Sequence, residues 1–433
     1  MRLQTGTASL LPADVTQPAY ERAAQKAGCV HFGIGAFHRA HQAVYHDDIM
    51  NKGERNWAII GVSLRSPDVA DQMNPQDGLY TLSIRDGDRT EARLIGAVQR
   101  VIVASQEPQS VVEAIASSDT HLVTFTITEK GYCRSHDGKL EQTLANEKSV
   151  YGYLRHGLSA RRARGLSGLT LLSCDNLAAN GQTLRTLLCE YLAIHEPALL
   201  DWVGQNCTFP NSMVDRIVPA TTPDDRQATA TLLGMDDLAL VGTEPFSQWV
   251  IEDKFAGPRP SWEKVGATLV ADVAPYEMAK LRMLNGAHSA LAYLGLAAGH
   301  QFVHQAVRDP QIRPLIERLM RVEAAATLPK TQGQDLDAYA TALLRRFENN
   351  ALNHRLSQIA MDGSQKLPQR WLETLHWHRQ RNIACPAIEA GFEAWFAHIK
   401  GANGPVDDPR VSEFAALDLQ GSIDEKIAAI FQS

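Results

Sequence analysis

The feature that most constrains this chain is a change of pattern about two thirds of the way along it. Up to about residue 270, short runs rich in β-branched residues alternate with segments long enough to form helices. The four clearest runs, each bounded by Gly, Ser, Asp or Asn, are residues 29–33, 57–62, 121–127 and 169–173. Strands separated by helices indicate βαβ units and a mainly parallel sheet.

From about Pro275 onward the sequence changes to long helical patterns with scarcely a strand among them. The predicted helices are residues 277–298, 311–326, 336–347, 386–399 and 423–431. We therefore predict an α/β, Rossmann-type domain over residues 1–268 and a mostly α-helical domain over 269–433, with the boundary between residues 258 and 275.

Composition excludes several classes of partner. The chain has 433 residues and a net charge of −7, so no overall basic field attracts nucleic acid or an anionic membrane. The six cysteines are scattered, which is typical of reduced thiols in a cytoplasmic protein. The first residues lack a signal-peptide pattern, and the longest apolar stretch, 289–299, is about half the roughly 20 residues that span a bilayer. We expect a soluble, cytoplasmic protein.

The first predicted strand ends in a glycine motif. The segment 29–38 reads Cys-Val-His-Phe-Gly-Ile-Gly-Ala-Phe-His, with Gly33 and Gly35 where a strand gives way to a helix. The first glycine permits a tight turn, and the second lets the backbone approach a pyrophosphate. His38 occupies the position of the usual third glycine, so the motif alone does not distinguish a dinucleotide site from an incidental turn. The candidate cofactor-binding residues of this segment are Gly33, Ile34, Gly35, Ala36 and Phe37.

The residues after the second strand bear on coenzyme choice. An acid there would bind the 2′-hydroxyl of the adenosine ribose and favour NAD, whereas an arginine would tolerate a 2′-phosphate. This chain offers both Asp68 and Arg65. We predict that the coenzyme is NAD, and NADP is not excluded. The alternative role for Arg65 is that of a solvated loop residue without contact to the coenzyme.

Residues 277–289, Glu-Met-Ala-Lys-Leu-Arg-Met-Leu-Asn-Gly-Ala-His-Ser, form the most informative segment. At about 100° per residue, with Lys280 at zero, Glu277 and His288 fall near 60° and 80°, and Asn285 near 140°. All four project from one side of a helix. Asn and His beside a glycine are poor choices for an ordinary helix surface.

These residue types suit alcohol oxidation. A lysine removes a hydroxyl proton if its pKa falls from about 10.4 towards 7–8, and amide donors stabilise the developing alkoxide. The alternative is a surface lysine with a capping or core histidine.

Three other interpretations are possible from the sequence. His38, Arg39, His41 and His46 could suggest a metal site, but no acid or cysteine is obviously positioned to complete one, so we expect Arg39 and the histidines to pack around cofactor phosphates or to cap the helix. A nucleotide-binding protein that has lost catalysis is the non-enzyme alternative, which the presence of the lysine, the two amides and the histidine disfavours.

Trp249 and Glu252 could form a partner-binding aromatic patch. The preferred interpretation of their segment is a helix that packs against the sheet or lines a cleft.

The motifs together resemble the polyol-specific long-chain dehydrogenases, the mannitol 2-dehydrogenase family, which includes fructuronate reductases and arabinitol and altritol dehydrogenases. The matching segments are residues 33–42, 126–132, 173–181, 215–219, 280–288 and 362–366.

The resemblance implies a metal-independent enzyme with a site in the cleft between its two domains. It makes Lys280 the general acid/base, Asn176 and Asn285 the pair that stabilises the oxyanion, and His288 a ligand of a substrate hydroxyl. Glu277 corresponds to a proton-relay gate. Asp215 and Lys366 correspond to positions that contact distal hydroxyls of the substrate. Thr128 and Glu129, in the matching segment 126–132, are further candidate cofactor-binding residues.

One position departs from the family pattern. Mannitol dehydrogenases usually have an arginine eight residues before the lysine that corresponds to Lys366, and this chain has Gln358 there. The small-molecule substrate is therefore expected to be a sugar alcohol, as in mannitol oxidation to fructose, or alternatively a sugar acid, as in fructuronate reduction. The family also suggests a monomer or a small homo-oligomer.

Overall fold

A computed structural model describes residues 1–417 and 419–431 of the chain. Within it the chain divides into two compact units, Met1–Val273 and Ala274–Ser433.

The N-terminal unit combines sheets with helices. Its strands are β1 (Ala27–Phe32), β2 (Ala58–Ser63), β3 (Tyr80–Asp86), β4 (Arg89–Ile95), β5 (Val98–Val103), β6 (Leu122–Phe125), β7 (Thr170–Ser173), β8 (Ser212–Asp215), β9 (Val241–Thr243), β10 (Gln248–Glu252) and β11 (Thr268–Val270). Its α-helices are α1 (Ala36–Ala40), α2 (Gln42–Asn51), α3 (Asp68–Met73), α4 (Pro108–Ile115), α5 (Thr128–Gly131), α6 (Val150–Ala163), α7 (Asn180–His195), α8 (Leu200–Asn206) and α9 (Pro223–Leu233).

The central sheet is parallel and has the strand order β5-β2-β1-β6-β7. In order of appearance along the chain, these strands are arranged 3-2-1-4-5, which is the doubly wound Rossmann order. Apolar residues on its two faces are buried against the helices in two separate clusters. The predicted α/β class and the four predicted strands, now β1, β2, β6 and β7, are confirmed. The order reverses between β1 and β6, where such sheets bind ligands at the carboxyl ends of the strands.

Two small sheets lie outside the central one, with strand orders β4-β3-β9 and β11-β10-β8. The interpretation of the segment around Trp249 as a helix is wrong, since β10 pairs antiparallel with β8 and parallel with β11. Trp249, Val250 and Ile251 are consecutive and fully buried. A strand covered on both faces has a continuous apolar run, so its sequence lacks the period-2 alternation that identifies exposed strands.

The C-terminal unit consists of helices. Phe302 and Arg355 form an isolated antiparallel β-bridge within it. Its α-helices are α10 (Ala274–Ala279), α11 (Gly286–Ala297), α12 (Val303–Ala306), α13 (Arg313–Arg318), α14 (Leu336–Glu348), α15 (Leu356–Ile359), α16 (Gly363–Leu367), α17 (Glu373–Arg379), α18 (Pro386–Ile399), α19 (Val411–Ala416) and α20 (Ile423–Phe431). The last two predicted helices match α18 and α20 residue for residue. No helix in the described part of the chain is both long and apolar enough to cross a membrane.

Three π-helical segments interrupt the C-terminal unit: Lys280–Asn285, Leu319–Ala324 and Pro368–Leu372. The first joins α10 to α11, so the predicted helix 277–298 exists but is not α-helical throughout. The second follows α13 and interrupts the predicted helix 311–326 in the same way. The first π segment packs against the other two. Since π turns are rare and occur often at functional sites, this cluster marks the region around Lys280.

Candidate active site

A tight glycine turn follows β1. Gly33 has φ +92°, and a Cβ added there would collide with the carbonyl oxygen of Thr126. Beside Gly35, the nearest atom to an added Cβ is the Gly33 oxygen at 3.8 Å. Only glycine fits the first position, while the backbone at the second stays open to a ligand, as a pyrophosphate requires.

A buried histidine holds this turn. His31 on β1 hydrogen bonds with the Oγ1 atoms of Thr124 (2.7 Å) and Thr126 (2.8 Å), and the Thr126 hydroxyl donates to the Gly33 carbonyl (2.7 Å). Burial lowers the pKa of His31 to about 3, so the imidazole is neutral. This role was not predicted, because His31 stands in the middle of an apolar strand.

The loop after β6 is held by a buried carboxylate, Asp175. It accepts hydrogen bonds from the backbone N–H groups of Ile127 (3.0 Å) and Thr128 (2.9 Å) and from the Tyr132 hydroxyl (2.8 Å). Burial raises its pKa. Asp175 was also missed, although it directly precedes the predicted Asn176 in the sequence. It joins two of the motif segments, 126–132 and 173–181, whose proximity depends on the pairing of β6 with β7.

A cavity of about 430 Å³ opens at this edge of the N-terminal unit. It is lined by Gly33, Ile34, Gly35, Ser63, Leu64, Arg65, Ser66, Val69, Thr126, Ile127, Thr128, Lys130, Gly131, Cys133, Lys148, Ser149 and Val150. Of the predicted cofactor residues, the structure thus brings five together here: Gly33, Ile34, Gly35, Arg65 and Thr128.

The other four predicted cofactor residues lie outside this lining. Ala36 and Phe37 pack against the apolar core, and Phe37 stacks on His41 with ring centroids 5.1 Å apart. Asp68 is exposed at the start of α3, and Glu129 is exposed on α5. At the end of β2 the cavity therefore presents Arg65 and Ser66, and not the carboxylate of Asp68.

The histidines that follow the glycine motif are packed into the protein. His38 stacks on His31 with ring centroids 3.4 Å apart, His41 hydrogen bonds with the Gln248 carbonyl, and His46 with the Trp57 carbonyl. None of the three lines the cavity, so the expectation that they surround cofactor phosphates is not met. Over the residues that the structure describes, no three His, Cys, Asp or Glu side chains are grouped as a metal site would require.

In the C-terminal unit the predicted catalytic residues share one helical rod. Glu277 lies on α10, Lys280 and Asn285 bound the π segment, and His288 lies on α11; all four are half-buried. Met283 and Leu284, between them, are buried in the core. The polar residues therefore occupy the rim of the helix, neither fully solvated nor fully packed.

The π turn changes the predicted angles. The N–H of Gly286 donates to the carbonyl of Leu281, five residues earlier. In an α-helix, residues five apart lie about 140° apart around the axis, but the wider turn that i→i+5 hydrogen bonding produces reduces this angle. Lys280 and Asn285 are therefore nearer to a common face than the α-helical prediction implied.

His288 is a neutral imidazole whose Nε2 atom is available for a hydrogen bond to a ligand. Its ring lies 4.7 Å from that of Phe347 and 5.3 Å from that of His354. Burial, followed by the positive charges of His354, Arg346 and Arg370, holds its pKa well below the usual value. Its Nε2 is buried and makes no hydrogen bond within the described residues.

The remaining predicted substrate residues are placed as follows. Asp215 is buried at the end of β8, and Asn176 is exposed just after β7. Gln358 is exposed on α15. Lys366 on α16 donates to the Met361 carbonyl (2.6 Å) and lies 3.5 Å from an oxygen of Asp362.

The strand order, the glycine turn and the cavity beside it define the N-terminal unit as a Rossmann-type, dinucleotide-binding domain. The chain matches the family models "Mannitol dehydrogenase Rossmann domain" over residues 27–264 and "Mannitol dehydrogenase C-terminal domain" over residues 272–431. It belongs to the mannitol dehydrogenase family.

Individual relatives agree with this assignment. The chain is 38% identical to D-mannonate oxidoreductase of Escherichia coli, over 96% of this chain and 90% of that protein. It is also 38% identical to mannitol 2-dehydrogenase of Pyrenophora tritici-repentis, over 95% of this chain and 76% of that one. Among solved structures, it resembles Pseudomonas fluorescens mannitol 2-dehydrogenase in ternary complex with NAD and D-mannitol, with a TM-score of 0.84, 36% identity, and coverage of 100% of this chain and 92% of that chain.

Proposed function

We propose that this protein is an NAD-dependent dehydrogenase that interconverts a secondary alcohol of a sugar alcohol or sugar acid with the corresponding ketone, with Lys280 as the general acid/base. The observation that carries the proposal is the helical rod 274–297, whose π segment runs from Lys280 to Asn285 and reduces the angle between these two positions around the helix axis. Membership of the mannitol dehydrogenase family supports the reaction class.

The coenzyme fits the N-terminal unit. The open backbone at Gly35, beside a turn that admits only glycine at Gly33, provides a surface for the pyrophosphate. Arg65 and Ser66 line the cavity where the adenosine ribose would lie, and this does not exclude NADP. When bound, the nicotinamide accepts the hydride from the substrate carbon.

The side chains then handle the proton and the developing charge. In the oxidation direction, Lys280 Nζ removes the hydroxyl proton, and the amides of Asn176 and Asn285 donate hydrogen bonds to the alkoxide oxygen. The neutral His288 hydrogen bonds through Nε2 to a neighbouring hydroxyl and orients the reacting carbon. Glu277, one helical turn before Lys280, passes the proton to solvent.

More distal contacts would hold the rest of the substrate. Asp215, Lys366 and Gln358 supply a carboxylate, an ammonium and a neutral amide for hydroxyls or a terminal group. No step of this scheme needs a metal ion, because the lysine and the two amides supply the base and the electrostatic stabilisation.

The test is Lys280→Ala. Turnover should fall by about a hundredfold or more, the scale expected for loss of a general base, while NADH binding stays near the wild-type value. Steady-state kinetics and NADH fluorescence titration measure the two quantities. Lys139→Ala is the matched control, since that lysine side chain is 75% exposed on a loop. Wild-type turnover in the Lys280→Ala variant would refute the proposal.

A further inference from the structure

One cation beside the proposed catalytic residues has no counter-ion among the residues that the structure describes. Arg370 lies on the π segment Pro368–Leu372, and its Nη1 donates to the Ser289 hydroxyl (2.8 Å) and, more weakly, to the Asn285 carbonyl (3.4 Å). No carboxylate of a described residue in the C-terminal unit lies within salt-bridge distance of its guanidinium. Lys366, one turn earlier, differs because Asp362 accompanies it.

The hydrogen bonds leave one edge of this guanidinium available. Both go through Nη1, so the edge formed by Nε and Nη2 makes none within the described part of the unit. Two parallel N–H groups on such an edge match the two oxygens of a carboxylate. The fixed Nη1 holds the edge in one orientation, because Ser289 is buried on α11.

The surroundings add positive charge. Burial lowers the pKa of Arg370 to about 10. Burial also lowers the pKa values of Lys366 and His288, and the charge of Arg370 lowers both further. The neighbouring groups that lower the pKa of His288 are all basic: His354, Arg346 and Arg370. A partly buried cation without a partner is costly unless a ligand neutralises it. A neutral polyol cannot do so, whereas an anionic substrate can.

We propose that the Nε–Nη2 edge of Arg370 binds the carboxylate of a sugar acid and makes this site selective for an aldonic acid over the sugar alcohol of the same configuration. The inference rests on the proposed function, since it takes the site around Lys280, Asn285 and His288 to be the substrate site. Arg370 would thus supply a positive charge that Gln358 does not provide.

The experiment compares equilibrium binding of D-mannonate, D-mannitol and D-mannitol 1-phosphate to the full-length protein saturated with NADH. With reduced coenzyme the alcohols do not react, so calorimetry reports affinity alone. We expect D-mannonate to bind the wild type about tenfold or more tightly than D-mannitol, the scale of a charge-assisted hydrogen bond. Arg370→Gln should abolish this preference and leave D-mannitol binding nearly unchanged.

Two further variants keep the test decisive. Arg370→Lys retains the charge without the fork and should keep part of the preference, which gives a result even if Arg370→Gln fails to fold. Arg345→Gln, on the exposed side of α14, should behave as the wild type.

Equal affinity of the wild type for acid and alcohol, a preference that survives Arg370→Gln, or tighter binding of the phosphate would each overturn the inference. Selective binding without any NAD-dependent turnover would instead refute the proposed function and leave the carboxylate site standing.

Discussion

The two units define their functional surfaces by different physical means. In the N-terminal unit the decisive features belong to the backbone: the positive φ of Gly33, the open face of Gly35, and a loop fixed by the Asp175 carboxylate. In the C-terminal unit the decisive features are side chains at the rim of a helix, with the backbone acting only through its π turn. The first arrangement suits a ligand bound through its phosphates, and the second suits proton transfer at one carbon. Substitutions should therefore separate binding from turnover according to the unit in which they fall.

Among the substitutions that test this comparison, we expect the largest effect from Gly33→Ala, which should weaken NADH binding. An alanine at positive φ costs about 1–2 kcal/mol, and its Cβ would also displace the Thr126 carbonyl, at a further cost of about 1–3 kcal/mol. NADH affinity should fall by about a hundredfold, measured by fluorescence titration, in contrast to Lys280→Ala, which spares binding.

Gly53→Ala separates strain from collision. Gly53 has φ +100°, yet nothing lies within 4 Å of an added Cβ. This variant should lose about 1–2 kcal/mol of stability and bind NADH normally. If Gly33→Ala also binds NADH normally, the backbone account of the N-terminal unit is wrong.

The same contrast explains what the sequence could predict. Strands β1, β2, β6 and β7 were predictable because each is a short β-branched run closed by turn residues. The strand β10 was not, because its buried residues 249–251 lack alternation and its partners β8 and β11 lie apart from it in the sequence.

The candidate site shows a similar division. Gly33 and Lys280 belong to local motifs, so the sequence alone indicated both. His31 and Asp175 gain their roles only through tertiary contacts with Thr126, Thr128 and Tyr132, which no local pattern encodes. The π turn is also invisible to a fixed angular period, which is why the predicted face of the helix needed correction.

A smaller effect concerns pH. The pKa of His31 is about 3 in the folded protein and about 6.5 when unfolded, so the unfolded chain binds more protons between these values. Stability that is fully present above pH 6.5 is lost as the pH falls, by about 2 kcal/mol at pH 5. His31→Gln removes this contribution while keeping hydrogen-bonding groups, so its urea midpoint should change less between pH 7.5 and pH 5.

Far-UV circular dichroism during urea titration measures these midpoints. His136→Gln is the control, since His136 is exposed, and it should retain the wild-type pH dependence. An unchanged pH dependence in His31→Gln would mean that the glycine turn is not held by a neutral imidazole, and the N-terminal half of the comparison would lose its main side-chain support.

The last prediction is that removal of metal ions leaves the kinetic constants unchanged. If Lys280 acts as the base and the Asn176 and Asn285 amides stabilise the alkoxide, a Lewis acid has no role left in the reaction. Prolonged dialysis against EDTA should therefore leave kcat and KM within error of their starting values, and added Zn²⁺ or Mg²⁺ should not raise them. A loss of kcat that Zn²⁺ restores would transfer the electrostatic role from the side chains of the C-terminal unit to an ion, because the base alone would then be insufficient. In that case the account of the C-terminal unit, in which side chains carry out the reaction, would be wrong. The account of the N-terminal unit, in which the backbone binds the coenzyme, would be unaffected.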